Sequence, residues 1–233
     1  MRIVVLFDLD GTVLTFDGAS PGPGRVAMRR AVRDWVDLED ATSGVRFAGR
    51  TDRAIVRAML TGAGYRGDLD LAVEEGIARY LVLLADEVRR RPYLPVGDVT
   101  GAVTRLRARG ACVGLGTGNV REGAAIKLAS AGLLASFDLE RGGYGSDAED
   151  RSELLRVAAA RCAQASFAGA EVVVVGDTRL DVEAARAIGA KVVGVAATVS
   201  AREELEEARA DAIVEACGEA LVAAIEAVTS RRS

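Results

Sequence analysis

The sequence predicts an α/β protein, a doubly wound parallel sheet (Rossmann-like) carrying an inserted α-helical module, and three observations lead there. Short β-branched runs recur without polar alternation, the mark of strands covered on both faces. Helical patterns separate those runs, as crossover connections between parallel strands require. One long early stretch breaks the alternation with helical patterns alone.

In chain order, the first strand is IVVLFD (3–8), ending on an acid. From about Phe16 to Pro92 the patterns VAMRRAVRDWVDL, RAIVRAMLTGAG and LDLAVEEGIARYLVLLADEVRRR are helical. Breaker clusters SPGPG (20–24) and PYLP (92–95) bound that stretch like hinges. Residues 16–92 are therefore expected to form a helical subdomain or a lid over a site at the strand ends. Residues 1–15 and 93–233 form the expected core. There, strands CVGLGT (112–117), VVVVGD (172–177), KVVGV (191–195) and DAIV (211–214) alternate with helices over about 98–109, 120–132, 151–165, 180–188, 200–209 and 217–229. Gly110, Gly132 and Gly189 stand where helix stops belong.

Composition narrows the chemistry. Length suits one large domain or one bearing an insertion. Half the residues are apolar but only 4% aromatic, which suits alanine-rich helices packed closely on a sheet. A formal charge of −4 with scattered arginines offers no basic face for nucleic acid. The apolar start is too short for a signal peptide, and no run approaches the roughly 18 apolar residues of a membrane span, so a cytoplasmic protein with no membrane partner is expected. Cys112, Cys162 and Cys217 are dispersed, as reduced core thiols would be. There is no histidine, which excludes Ser/His and Cys/His pairs, phosphohistidine and imidazole metal sites. Carboxylates, hydroxyls, lysine, arginine and backbone groups remain.

Ligands of open parallel sheets bind beyond the carboxyl ends of the strands, which here read DLDGT, GTGN and GDTRLD. Asp8 and Asp10 stand two residues apart at the first. Two such carboxylates repel and call for a divalent cation with oxygen ligands, unless they only build an Asx turn with Gly11. Thr117, Gly118 and Asn119 bring a hydroxyl, backbone N–H groups and a helix start together, either as a phosphate cradle or as simple capping. Asp177 and Asp181 flank the third strand end, as metal ligands or helix caps. SDAEDRSELL (146–155) is assigned to structure alone, since Asp150 and Glu153 have capping-box spacing. AGRTDRA (48–54) is either a helix entry capped by Thr51 or Asp52, or a specificity loop in which Arg50 holds a carboxylate or second phosphate.

These elements, in this order, resemble the haloacid dehalogenase-like superfamily of hydrolases. DLDGT (8–12), Thr117 on a strand end, Lys127 downstream and GDTRLD (176–181) match its four motifs, and the insertion resembles the helical cap of its phosphoglycolate phosphatase-like branch. The resemblance implies Mg²⁺-dependent hydrolysis of a small phosphorylated metabolite through an aspartyl-phosphate. It assigns Asp8 as nucleophile and Asp10 as acid and base, with Mg²⁺ on the Asp8 carboxylate, the Asp10 carbonyl and Asp177, and Asp181 as ligand or support. Thr117, with Gly11, Thr12, Gly118 and Asn119, would hold the phosphoryl group. A monomer or homodimer is expected.

Two alternatives remain open, a sugar-phosphate phosphomutase and a phosphoaspartate signalling protein, although receiver domains of about 120 residues lack such an insertion. Dehalogenation is disfavoured by Asp10, and phosphonate cleavage by the absence of lysine from 16–92.

Lys127 is one of only two lysines among 30 basic residues. On a helix it shares a small-residue face with Val120, Gly123, Ala124 and Ala131, and its side chain leans back toward Thr117. A compact ammonium suits a tight site holding a phosphoryl oxygen and the Asp8 carboxylate.

Overall fold

The computed structural model describes residues 2–18, 20–36, 44–163 and 169–230. Its strands are β1 (Ile3–Phe7), β2 (Leu14–Phe16), β3 (Tyr93–Pro95), β4 (Cys112–Thr117), β5 (Gly143–Tyr144), β6 (Glu171–Gly176), β7 (Lys191–Val195) and β8 (Ala212–Val214). Its helices are α1 (Pro23–Ala31), α2 (Asp52–Gly62), α3 (Leu69–Arg90), α4 (Val99–Ala108), α5 (Arg121–Ser130), α6 (Arg151–Cys162), α7 (Arg179–Ala187), α8 (Val199–Glu207) and α9 (Glu219–Ser230).

Six strands form one sheet in the order β5-β4-β1-β6-β7-β8, with every pairing parallel. Chain order therefore reverses between β1 and β6, the switch point where such sheets open a crevice. The uniform apolar runs have a direct cause. Successive side chains point to opposite faces, and both faces are covered: Val5 and Phe7 of β1 join one core cluster, Val4 and Leu6 the other. Helices α4 and α9 pack on the first face, and α6, α7 and α8 on the second. Helices α4, α5 and α7 end before Gly110, Gly132 and Gly189, whose φ values of 83°, 71° and 72° make them left-handed stops.

Helices α1, α2 and α3 lie between β2 and β3, which pair antiparallel from Leu14↔Pro95 to Phe16↔Tyr93. This ribbon carries the chain to and from the helical module. It was not expected, because three-residue strands show no periodicity, and PYLP proves to be β3 rather than a plain breaker. The edge strand β5, two residues long, leaves no periodic signal for the same reason. Helix α1 begins with proline at its first turn and stops at Ala31. Asp37 and Leu38 of the longer helix expected there lie outside the described residues, as do residues 164 and 165 expected at the end of α6. Met28, Val56, Met59, Val73, Tyr80 and Leu84 of the three helices join the same cluster as Val5 and Phe7. The module therefore sits on the sheet through continuous apolar packing.

Candidate active site

The register aligns the three acidic or hydroxyl-bearing strand ends. Phe7 of β1 pairs with Leu115 of β4 and Val175 of β6, and Asp8 extends β1 by donating its N–H to the Val175 carbonyl at 2.9 Å. Thr117, the last residue of β4, and Asp177, the first residue beyond β6, thus stand on either side of Asp8.

Asp8, Asp177 and Asp181 each offer a carboxylate oxygen within 4.8 Å of the others. Three acids so placed need positive charge. Arg151, at the first position of α6 and 9% exposed at its side chain, supplies part of it by pairing with Asp181 and lying 3.4 Å from Asp8 Oδ1. Burial pushes Asp8 up to about 6, Arg151 pulls it down, and Asp181 and Asp10 push it up. Asp177 is raised well above the usual carboxylate range by burial, then by Asp181 and Asp8. Its side chain has no ion pair among the described residues and accepts only the Thr12 hydroxyl at 3.1 Å. Gly11, at φ 85°, permits this approach, since a Cβ there would fall on the Asp177 carboxylate. Asp181 is engaged on both oxygens, with Oδ1 on Arg151 and Oδ2 accepting from the Thr178 N–H and hydroxyl at 3.0 and 2.6 Å. It closes a capping box with Thr178, so the capping and cluster readings hold together. Asp8 and Asp177 are the donors left open to a cation.

Asp10 lives in different surroundings. Its Oδ2 accepts from Lys127 Nζ at 2.6 Å and from Asn119 Nδ2 at 2.8 Å. The lysine is 4% exposed and packs on the small-residue face of α5 with Gly123 and Ala124. Burial opposes its charge, but Asp10, Tyr80, Tyr93 and Asp52 hold the ammonium well above its usual range. The expected partner of Lys127 was Asp8. That expectation is corrected: Arg151 occupies the flank of Asp8, and the lean of the α5 side chain ends at Asp10, over the Tyr93 ring.

Thr117, fully buried, accepts from Asn119 Nδ2 at 2.9 Å, and its nearness to Asp8 tempers the upward push on that carboxyl. Neither Thr117 nor Asn119 caps α5. Its N-cap is Val120, with no side-chain cap of its own, and the Val120 N–H donates to Asp52 Oδ2 at 2.9 Å. Thr51 is the N-cap of α2, which leaves Arg50 on the cavity wall. The Arg50 guanidinium makes no hydrogen bond or ion pair among the described residues.

Asp8, Asp10, Asn119, Lys127, Arg151 and Asp177 line a cavity of about 290 Å³ that also includes Phe16, Met28, Phe47 and Ile55, with Thr117 and Asp181 packed behind its wall. Two buried polar atoms on it, Asn119 Oδ1 and Arg151 Nε, have no hydrogen-bond partner. Sequence reasoning missed Arg151, Asp52 and Tyr93. Arg151 carried a signal: Asp150 does cap α6, but an arginine in a first helical turn opposes the helix dipole, so something else holds it there.

Fold and site together define a class, an α/β protein with a cation-ready acidic centre at the switch point of its sheet, roofed by a helical module. The chain belongs to the haloacid dehalogenase-like hydrolases, whose family model matches residues 4–189. It is a hydrolase. Similar solved structures include a hydrolase from Pseudomonas syringae (18% identity, TM-score 0.66, 99% of both chains). CbbY from Rhodobacter sphaeroides in complex with phosphate is similar at 16% identity and TM-score 0.67, over 96% of this chain and 98% of that one. A predicted phosphatase from Clostridium acetobutylicum is similar at 18% and 0.65, over 97% and 98%. At these identities the likeness establishes the fold. A search of curated proteins found no match. Among the described residues no helix is long and apolar enough to cross a membrane.

Proposed function

We propose that this protein is a Mg²⁺-dependent phosphatase of a small phosphorylated metabolite that works through an aspartyl-phosphate on Asp8, with residues 16–92 as its cap. The observation that carries the reading is the contrast between two carboxylates on one strand end. Asp8 faces two further acids and Arg151, whereas Asp10 faces Lys127 and Asn119. Neighbouring carboxylates with divergent surroundings are how one site divides nucleophile from acid and base.

In this mechanism an Asp8 oxygen attacks phosphorus, and the leaving alkoxide takes a proton from Asp10. Asp10, now ionised, removes a proton from water, whose oxygen attacks the phosphorus of the aspartyl-phosphate and returns Asp8 with inorganic phosphate. Lys127 and Asn119 fix Asp10 for both transfers. Thr117, the backbone around Gly11, Thr12 and Gly118, and the Arg151 guanidinium face the phosphoryl oxygens. Asn119 Oδ1, which lacks a donor, would receive one from the leaving group or the water.

The residues fit a divalent cation, because Asp177 is a half-buried carboxylate without a cationic partner among the described residues, beside the Asp8 carboxylate. Mg²⁺ held by Asp8, Asp177 and the Asp10 carbonyl, with Asp181 in support, would supply charge that neutralises the phosphoryl oxygens.

The cavity is small by the standard of ligand pockets, which favours a short leaving group, and Arg50 would meet its carboxylate or second phosphate. A panel of phosphorylated metabolites assayed with and without Mg²⁺ tests the reading. Phosphate release that needs Mg²⁺ and disappears in Asp8→Asn is expected, and persistent release in that variant refutes it.

A further inference from the structure

We propose that Asp52 is a positioning residue through which the seating of the helical module is transmitted to Asp10, a role that rests on the hydrolytic reading above. Asp52 is the first residue of α2. An acid there suits the helix dipole and ordinarily faces water, but Asp52 is only 6% exposed. Burying a carboxylate is costly unless it is bonded and faced by positive charge. Asp52 has both, and each partner lies outside the module.

Its backbone N–H donates to the Gly118 carbonyl at 2.8 Å, and its Oδ2 accepts from the Val120 N–H at 2.9 Å. Two bonds of opposite sense thus grip both ends of the turn Gly118-Asn119-Val120. The turn is shaped for the grip, since a Cβ on Gly118 would fall on the Arg50 carbonyl. Between the gripped residues stands Asn119, whose Nδ2 holds Asp10 Oδ2 at 2.8 Å. The Asp52 charge also faces Lys127, whose Nζ holds the same Asp10 oxygen at 2.6 Å. Both donors that aim Asp10 are therefore fixed by one carboxylate, which reaches them only while α2 is seated on the core. A simple helix cap would need neither the burial nor the cation.

The test uses the full-length protein with p-nitrophenyl phosphate and Mg²⁺, and compares Asp52→Asn with Asp52→Ala. Asparagine keeps an acceptor for Val120 and loses the charge facing Lys127, whereas alanine loses both. Misplacement of a reacting group by about 1 Å costs up to about 100-fold, so kcat is expected to fall about tenfold in Asp52→Asn and further in Asp52→Ala, with KM within about threefold. Amide exchange at Val120 should quicken in Asp52→Ala. Asparagine is isosteric, which keeps the test readable if the alanine variant does not fold. Unchanged kcat in both variants, or a change in KM alone, overturns the positioning role and leaves the phosphatase reading intact. If the wild type releases no phosphate from p-nitrophenyl phosphate or from the metabolite panel, that reading fails, and the amide decides: unchanged Val120 exchange in Asp52→Ala then overturns the link as well.

Discussion

Replacing Lys127 by methionine removes a cation that Asp10 and Asp52 both face, at nearly constant volume. Losing one partner of a fully buried pair costs about 3–5 kcal/mol. Here the figure is discounted, because the Asp10 side chain is 45% exposed and recovers water. Asp52 cannot. Burial already raises it from 3.8 to about 6 even with Lys127 pulling it down. A carboxyl raised in the folded state contributes stability below its unfolded pKa, and that contribution is lost as pH climbs through the folded value. Without the lysine the folded value rises further, so the loss extends to higher pH. Each added unit is worth about 1.4 kcal/mol, giving a total destabilisation of about 1–3 kcal/mol near neutral pH that shrinks toward pH 4 as Asp52 becomes protonated. Urea unfolding of wild type and Lys127→Met at several pH values between about 4 and 8 measures this. Equal destabilisation across that range, or none near neutrality, would refute the reasoning.

Four further outcomes follow from the same geometry. Lys127→Arg should keep the fold and lose most activity, because Gly24 and the Tyr93 ring crowd the Nζ position and a planar fork would be overpacked by about 1–3 kcal/mol; full activity in a phosphatase assay would return Lys127 to a packing role. Arg151→Ala should lower kcat/KM at least about 100-fold and weaken the α7 capping box, both visible in kinetics and thermal melting, and a mild effect below about threefold would remove Arg151 from the site. Gly11→Ala should destabilise by roughly 1–3 kcal/mol and weaken Mg²⁺ binding measured by calorimetry, since its Cβ would displace the Asp177 carboxylate. Mg²⁺ should raise the melting temperature more at about pH 8 than at about pH 5, because protons compete for Asp8 and Asp177, both raised carboxyls; an equal rise at both would contradict the metal assignment.

How much of this could be read before the structure varied with how local its cause was. The long strands and the glycine stops were legible because uniform apolar runs and left-handed positions are local demands. Asp8, Thr117 and Asp177 were recognisable as strand ends, and the parallel register explains their convergence. The β2–β3 ribbon was not legible, since its pairing joins Phe16 to Tyr93 across the whole module. Nor was the partner of Lys127: helical lean gave the direction, but the choice between Asp8 and Asp10 depends on Arg151, which arrives from α6. Sequence spacing offers Asp52 only as a cap for its own helix, whereas its carboxylate takes the Val120 N–H at the start of α5 from across the interface. Single-element rules see neither relationship.

The most direct test of the mechanism is to catch the phosphoryl group on Asp8. An acyl phosphate is reduced by borohydride to an alcohol, so turnover with Mg²⁺ and an accepted substrate, quenched into borohydride, should convert Asp8 to homoserine in the peptide that spans DLDGT. Conversion at Asp8 that is absent without substrate is the predicted result. Turnover with Asp8 unmodified throughout, or modification at another carboxylate, would contradict the account.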